Sequence, residues 1–526
     1  MKELIYHRSF MPALRRHRGE KAVVDGAYST SFEGHGERVF RLVHALRHQF
    51  GLERSDRFAV LARNSHVYLE LYHAAFMGGG VVNPLNLRLS PKELDYIIGD
   101  SGVSVVFVDK HFAPLLKEAM DLDASCPVKS VVLIGDEDPQ AGIAFDHRYE
   151  EVLAAAEAQE PEEPEEEDAV VLMYTGGTTG LPKGVVLTQR ALILNMYHSR
   201  ISRPTLGSNT VGLIQTPMFH VASMGTLVTT YIVGGATVIV PGFEPELVLS
   251  EIERNKVTST LMVPTMIGMM LAHPSFRPER LATLRQLTYG ASPMPAVTLE
   301  KLLTIAPELD LFQGYGMTES SAVLTSLSPD DHRQGGSRLR SVGQPVPGLD
   351  VVILDEDGVE VATGEIGEVC ARGGNFMREY WNKPEATAEV FRGGWYHTGD
   401  AGYFDEDGYL FLVDRVKDMI ITGGENVYSV EVENAIGSHP AVAQVAVIGI
   451  PHEIWGEAVH AIVVPQDGSE PSEDDIIEHA RASIAGFKVP KSVSFRSDPL
   501  PLSGAMKVLK RDLRAPYWKG QDKAIS

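Results

Sequence analysis

Tyr174-Thr175-Gly176-Gly177-Thr178-Thr179-Gly180-Leu181-Pro182-Lys183-Gly184 gathers four glycines, three threonines and a lysine within eleven residues. Glycine lets successive backbone N–H groups turn inward around an anion and form a phosphate-binding nest. The threonine hydroxyls add donors, and Lys183 adds a positive charge for the outer phosphates. The flanks, Ala169 to Met173 and Val185 to Leu187, are short, apolar and rich in valine, which predicts a strand, a loop and a second strand. A Walker-type loop needs Gly-Lys-Ser/Thr opening a helix. Here Leu181 and Pro182 stand between Gly180 and Lys183, and Gly184 follows the lysine. A flexible glycine linker would lack the Thr-Thr and Pro-Lys-Gly chemistry. The stretch therefore reads as a nucleotide-phosphate loop of another kind.

Strand and helix patterns alternate around it. Residues 37–50 carry Val39, Leu42, Val43 and Leu46 at helical spacing, and Phe58 to Leu61 follows as a buried strand. Leu69 to Met77 predicts a helix, Val81-Val82 opens a strand, Pro91 to Asp100 is helical, and Val103 to Val108 is a strand. Such alternation indicates a mostly parallel sheet covered by helices. The acidic run Glu160 to Asp168, broken by proline, predicts a solvated linker. From Val351, short strands are separated by the Asp357-Gly358 and Asp407-Gly408 turns, the pattern of a β-rich subdomain. After Asp414 the order resets to Val430–Ile436 helix, Val442–Ile448 strand, His460–Val464 strand and Asp474–Ser483 helix. The expected fold is thus α/β. A large N-terminal domain (1–414) combines layered, mostly parallel sheets and helices with the β-rich subdomain from about 340 to 414. A small, mobile α+β domain follows over 415–526.

At 526 residues with 44% hydrophobic content, the chain has the composition of a globular protein. Its formal net charge of −23 excludes a general nucleic-acid binder, which needs a basic footprint. Cys126 and Cys370 are the two cysteines, too few for a disulfide framework, so a reducing, cytoplasmic setting is expected. Met1 to Arg8 shows no apolar signal core. Residues 204–243 lack Asp, Glu, Lys and Arg, but Pro217, His220, Gly234-Gly235 and Pro241 interrupt them. Buried core elements are expected there, not an integral membrane segment, and peripheral membrane contact stays open.

Further clusters carry chemistry. In Gln313-Gly314-Tyr315-Gly316-Met317-Thr318-Glu319, two glycines bracket an aromatic ring that can stack on a flat base, and Glu319 offers hard oxygen to Mg²⁺. Taken alone, the same residues also suit a turn with Thr318 and Glu319 at a helix start. The small residues Gly290, Ala291 and Ser292 leave room for a ligand on either side. Asp400, in Tyr396-His397-Thr398-Gly399-Asp400, can accept from both hydroxyls of a ribose. Charges followed by glycines in Asp414 to Asn426 suit a hinge. By spacing alone, Lys507 and Lys510 would read as solvated charge, and His220 as a packed histidine in apolar sequence.

Together these strings resemble, in order and over about residues 20 to 515, the motifs of the adenylate-forming superfamily. That superfamily comprises acyl-CoA synthetases, aryl-CoA ligases, luciferases and peptide-synthetase adenylation domains, and the chain looks most like a bacterial-type fatty-acid or aryl-acid CoA ligase. The resemblance implies an ATP-dependent carboxylic acid:CoA ligase that uses ATP, Mg²⁺ and CoA. It forms an acyl-adenylate and then an acyl-CoA, releasing pyrophosphate and AMP. Residue by residue, it implies that Thr175, Gly176, Gly177, Thr178, Thr179 and Lys183 hold phosphates. Gly290, Ala291, Ser292, Gly314, Tyr315 and Gly316 surround the adenylate, and Thr318 and Glu319 serve phosphate and magnesium. Asp400 and Arg415 bind ribose, Lys417 is the pivot of the C-terminal domain, and Gly423, Gly424 and Glu425 line the CoA channel. Lys507 is the catalytic lysine, although Met506 stands where glycine is commonest. His220, Gly290, Gly314 and Gly316 border the acyl pocket. The uncharged residues 211–243 favour an apolar acyl group, medium to long chain or aryl, with no evident cationic partner for a second carboxylate. No carrier domain is read in the chain, which favours CoA as acceptor. The alternatives are loading of a carrier protein and a non-catalytic nucleotide-binding regulator. Relatives of this kind are often homodimers.

Overall fold

A computed structural model describes residues 2–135, 143–175, 181–415, 418–422, 425–503 and 508–519, with 414, 415, 425 and 426 described by backbone alone. The chain divides into two units. The first holds Met1–Leu339, Gly343–Asp350 and Arg372–Phe391; the second holds Arg340–Val342, Val351–Ala371 and Arg392–Ser526. The β-rich strands thus group with the C-terminal residues, while 372–391 returns to the first unit.

Two sheets build the first unit. One runs in the order Gln344–Pro345, Thr325–Leu327, Asp310–Tyr315, Gln286–Gly290, Ser259–Met262, Val211–Ile214, Ala236–Ile239, Lys21–Asp25, Tyr28–Ser31. Its strands from Asp310–Tyr315 to Lys21–Asp25 are parallel, and the ends are antiparallel. The other runs Glu379–Tyr380, Lys183–Thr188, Ala169–Thr175, Val81–Pro84, Arg57–Leu61, Val105–Asp109, Ser130–Ile134, His147–Arg148. Strands sandwiched between helices read as continuous apolar runs because both faces are covered; Phe58, Ala59, Val60 and Leu61 are all fully buried.

The uncharged stretch forms the strand Val211–Ile214, the helix Val221–Ile232 and the strand Ala236–Ile239. Among the described residues, no helix is long and apolar enough to cross a membrane. The acidic run is less free than its composition predicts. Glu166 accepts from the N–H groups of Glu3 and Leu4 and pairs with Arg190, Glu163 pairs with Arg8, and Glu165 with Lys2. Repulsion within the run is offset by cations from two other segments.

In the second unit, Asp350–Leu354, Gly367–Arg372, Tyr396–Phe404 and Leu410–Arg415 form a four-stranded sheet. Gly358 and Gly408 take positive φ (77° each), the conformation these Asp-Gly turns require. The C-terminal sheet orders Glu425–Val427, Ile420–Thr422, Gly456–Pro465 and Val442–His452, with Ser492–Phe495 alongside Gly456–Pro465. Val432, Ile436, Val447, Val459, Val463 and Ile476 form part of its buried core beneath the helices Ser429–Gly437 and Glu473–Arg481.

Candidate active site

The opening stretch is held by a hairpin. Thr175 and Lys183 are partners in the antiparallel register that continues through Tyr174 and Gly184, so the loop leaves and re-enters the sheet at one point. Gly176, Gly177, Thr178 and Thr179 lie outside the described residues. Tyr174 below the loop is fixed by its hydroxyl, which donates to Asp100 Oδ2 at 2.6 Å. Burial, then that carboxylate, pushes its pKa up, so it stays a neutral donor.

Lys183 and Glu319 meet on a residue that motif reading missed. Lys183 Nζ lies 4.9 Å from the centroid of the Tyr380 ring, and Tyr380 OH donates to Glu319 Oε1 at 2.7 Å. Tyr380 reaches this place because Glu379–Tyr380 pairs as an edge strand, Tyr380 opposite Val185, onto the strand that follows the phosphate loop. A cation over an aromatic face and a charge-assisted hydrogen bond from the same ring fix both functional charges. The half-buried Glu319 carboxylate is a hard-oxygen donor that shares Tyr380 with the Lys183 ammonium, and its chemistry fits Mg²⁺.

The segment around Glu319 is clamped by neighbours of Tyr380. Met377 N donates to Glu319 O at 2.6 Å. Asn375 Nδ2 donates to Ser320 O at 2.8 Å, and Ser321 Oγ donates to Asn375 O at 2.7 Å. These bonds hold Ser321 and Ala322 at φ of 57° and 123°, which side-chain-bearing residues rarely adopt. Ala291, in the predicted adenylate run, also has positive φ, 69°. The sequence offered no signal for Asn375, Met377 or Tyr380, because their role depends on chain return.

Gly290 and Gly314 are register partners at the carboxyl ends of adjacent parallel strands. A Cβ on Gly290 would collide with the Gly314 carbonyl, and one on Gly316 with the Ala322 carbonyl. Tyr315 closes the strand, its carbonyl accepting from Leu324 N at 2.7 Å. The structure thus joins the 290–292, 314–316 and 319–322 segments into one floor. Carboxyl ends of parallel strands are where ligands bind in such sheets. Thr318 begins the short 3₁₀ turn Thr318–Ser320. His220 immediately precedes the helix Val221–Ile232, its ring 4.5 Å from that of Phe219. Asn64 positions this approach, donating to Thr216 O at 2.9 Å and accepting from Met218 N at 2.8 Å.

The second unit contains the predicted ribose ligands. Asp400 and Arg415 are Cα partners on adjacent antiparallel strands. The turn leading to Asp400 is tied down by Glu368, which accepts from Gly399 N (3.0 Å) and from His397 Nδ1 (2.7 Å). Thr398 Oγ1 donates to Val369 O at 2.7 Å and accepts from Asp400 N at 3.1 Å. Cys370 is buried against His397, and burial followed by the Glu368 charge pushes its thiol up to about 12, so it is not a nucleophile. Lys417, Gly423, Gly424 and Lys507 lie outside the described residues, and Glu425 contributes backbone to the strand Glu425–Val427. Lys510 has another job: its ammonium pairs with Glu433 (2.6 Å) and donates to Ser429 Oγ (2.6 Å). Glu457 bonds Ile421 N at 3.1 Å, a structural tie between two strands.

Comparison with known proteins shows the family of the chain. Residues 10–381 match the family model of AMP-binding enzymes, and residues 431–507 that of the AMP-binding enzyme C-terminal domain. A feruloyl-CoA synthase of an Amycolatopsis species is 38% identical, over 94% of this chain and 96% of its own. A long-chain-fatty-acid–CoA ligase of Mycobacterium tuberculosis is 37% identical, over 89% of each. The crystal structure of ATP-bound MatB from Rhodopseudomonas palustris superposes with a TM-score of 0.88 at 30% identity, covering 98% of this chain and 99% of that one. The chain belongs to the AMP-binding enzyme family.

Proposed function

We infer that this chain joins an apolar carboxylic acid, aryl or medium to long in chain, to CoA in two ATP-dependent steps. It is an AMP-forming acyl-CoA ligase. The observation that carries the reading is the convergence of Lys183 and Glu319 on Tyr380, which couples the phosphate loop to a magnesium-type carboxylate.

In the first step a carboxylate oxygen attacks the α-phosphorus of ATP, and the bond to the leaving pyrophosphate breaks. The product is the mixed acyl–AMP anhydride. Two anions must approach, so the step needs cations and fixed geometry. We assign Lys183 to the outer phosphates and Lys507 to the carboxylate and α-phosphate. Bound Mg²⁺, held through Glu319, offsets phosphate charge. We assign Gly290 and Gly314 to the adenylate, and Asp400 and Arg415 to the ribose. In the second step the CoA thiol attacks the acyl carbon, and AMP leaves. Lys417 serves as the pivot that exchanges Lys507 for the thiol channel at Gly423, Gly424 and Glu425. The reaction belongs to the cytoplasm, in keeping with two cysteines outside any disulfide. Light scattering in solution decides the homodimer that the family resemblance carries over.

The test is mass spectrometry of CoA species after incubation with ATP, Mg²⁺, CoA and a pooled panel of fatty and aryl acids. A new acyl-CoA that disappears when ATP is omitted establishes the ligase. Pyrophosphate without acyl-CoA would replace CoA by another acceptor, beginning with a carrier protein.

A further inference from the structure

The helix Gln189–Ser202 carries a buried polar stripe. Asn195, Ser199 and the C-cap residue Arg203 recur every four residues and therefore share one face. Asn195 is fully buried, Ser199 is 9% exposed and Arg203 is half-buried. An asparagine amide can donate twice and accept twice, yet neither Nδ2 nor Oδ1 of Asn195 has a partner. The Arg203 guanidinium has five donors. Nε reaches Ser199 O at 3.3 Å and Nη1 reaches Thr288 Oγ1 at 3.4 Å, both long for a charged donor. Among the described residues no carboxylate lies within ion-pair distance of it. Burial alone pulls it down to about 10, the mark of a cation without a counter-charge. Buried polar groups of this kind are ordinarily matched by the protein, by ordered water or by a ligand.

The stripe faces the predicted acyl pocket. Side chains alternate along a strand, so Thr288 and Gly290 point to the same side of the sheet. Thr288 lies two residues, about 7 Å, from Gly290 toward the amino end of that strand. Asn195 is nearer the mouth. Its Nδ2 is 3.4 Å from the point where a Cβ on Gly225 would stand, and Ala322 Cβ is 3.9 Å from that point. The missing side chain of Gly225 leaves a gap that Asn195 faces, beside the clamped segment after Glu319.

We propose that Arg203 and Asn195 form a polar far wall of the acyl pocket and read a hydrogen-bond-accepting oxygen at the distal end of the acid. The proposal rests on the reading above that seats the reacting carboxylate over Gly290 and Gly314. It revises the sequence-based expectation that no cation faces the far end of the substrate. The distance selects the substrate class. An oxygen roughly 7–10 Å from the carboxylate, given the two-residue strand step plus a hydrogen bond, matches the para oxygen of an arylpropenoic acid or the second carboxylate of a straight-chain diacid near seven carbons. It does not match the second carboxylate of a three-carbon diacid, and an unsubstituted fatty acid would leave the guanidinium unmatched. Both matching sources share one chemistry, an acceptor oxygen at fixed reach, and Arg203 and Asn195 are specificity-determining residues for it.

Steady-state acyl-CoA formation with matched acids tests this: 3-phenylpropenoic against 3-(4-hydroxyphenyl)propenoic acid, and heptanoic against heptanedioic acid. The wild-type enzyme is expected to favour one oxygenated member at least tenfold in kcat/KM over its parent, and the favoured arm names the source. Arg203→Met should erase that preference through KM, and a cooperative urea transition reports that the variant is folded. Asn195→Leu should cut the preference about tenfold, and Arg203→Lys should retain part of it. Equal loss on both members of a pair would reduce Arg203 to a structural residue, and a wild-type enzyme indifferent to the distal oxygen would overturn the proposal. Failure to form acyl-CoA from any acid while R203M and wild type remain folded would instead remove the ligase reading on which the proposal depends.

Discussion

At the scale of single residues, Tyr380 shows how two charges are held by one neutral group. Its ring sits under the Lys183 ammonium and its hydroxyl donates to Glu319. Tyr380→Phe keeps the ring and removes only the donor. Hydrogen bonds to charged groups contribute about 1.5–3 kcal/mol, so kcat/KM for ATP should fall about ten- to a hundredfold. The Mg²⁺ concentration for half-maximal rate should rise. Tyr380→Leu also removes the cation–π contact, worth about 0.5–2 kcal/mol, and should cost correspondingly more. An adenylation rate and Mg²⁺ dependence identical to wild type in Y380F would show that the Glu319 contact has no part in catalysis.

At the scale of elements, pairs of helices carry a built-in acid sensitivity. His35, on the helix Phe32–His44, and His73, on the helix His66–Ala74, share a 2.8 Å hydrogen bond in a fully buried site lined by Phe10 and Tyr231. Burial pushes His35 down to about 3, with the Arg38 and His66 charges adding to the effect; burial and then His35 push His73 down too. Both rings are neutral in the folded chain, whereas unfolded histidine binds a proton below about pH 6.5. Between that pH and the lowered folded values the unfolded state holds more protons. Stability is therefore full above about pH 6.5 and falls as pH drops, by about 1.4 kcal/mol per pH unit for each ring. Urea midpoints measured from pH 7.5 to 5 should decline on that slope, and His73→Gln should remove about half of it. A flat profile, or an unchanged slope in the variant, would show that neither ring stays neutral through this window.

Elements such as these also show what was legible in the sequence. The continuous apolar strand Phe58 to Leu61 and the helix expected over Asp474 to Ser483 were readable because burial imposes the pattern locally. The hairpin around the phosphate loop was readable for the same reason. Tyr380, Asn375 and Met377 were not, since each acts by pairing with residues distant in the chain. Arg203 was illegible for a related reason: an arginine at a helix end ordinarily reads as solvated charge, and only the fold shows it facing Thr288.

At the scale of the whole molecule, the net charge of −23 sharpens the question of how the chain binds three anionic partners: ATP, a carboxylate and CoA. Long-range attraction cannot help, so local cations must do so where charge is brought together. The two half-reactions differ in that respect. Adenylation forces a carboxylate onto a triphosphate, while thioester formation brings a thiol to the neutral acyl carbon of an anhydride. A lysine serving mainly the first should therefore be dispensable for the second. In Lys507→Ala, acid-dependent exchange of pyrophosphate into ATP should drop about a hundredfold or more, the scale seen when one charge-stabilising donor is lost. CoA thioester formation from supplied acyl-adenylate should stay within a few fold of wild type. Equal loss in both assays would mean that Lys507 supports both reactions. Loss confined to the thioester step would reverse the assignment, leaving Lys183 to carry the charge of adenylation.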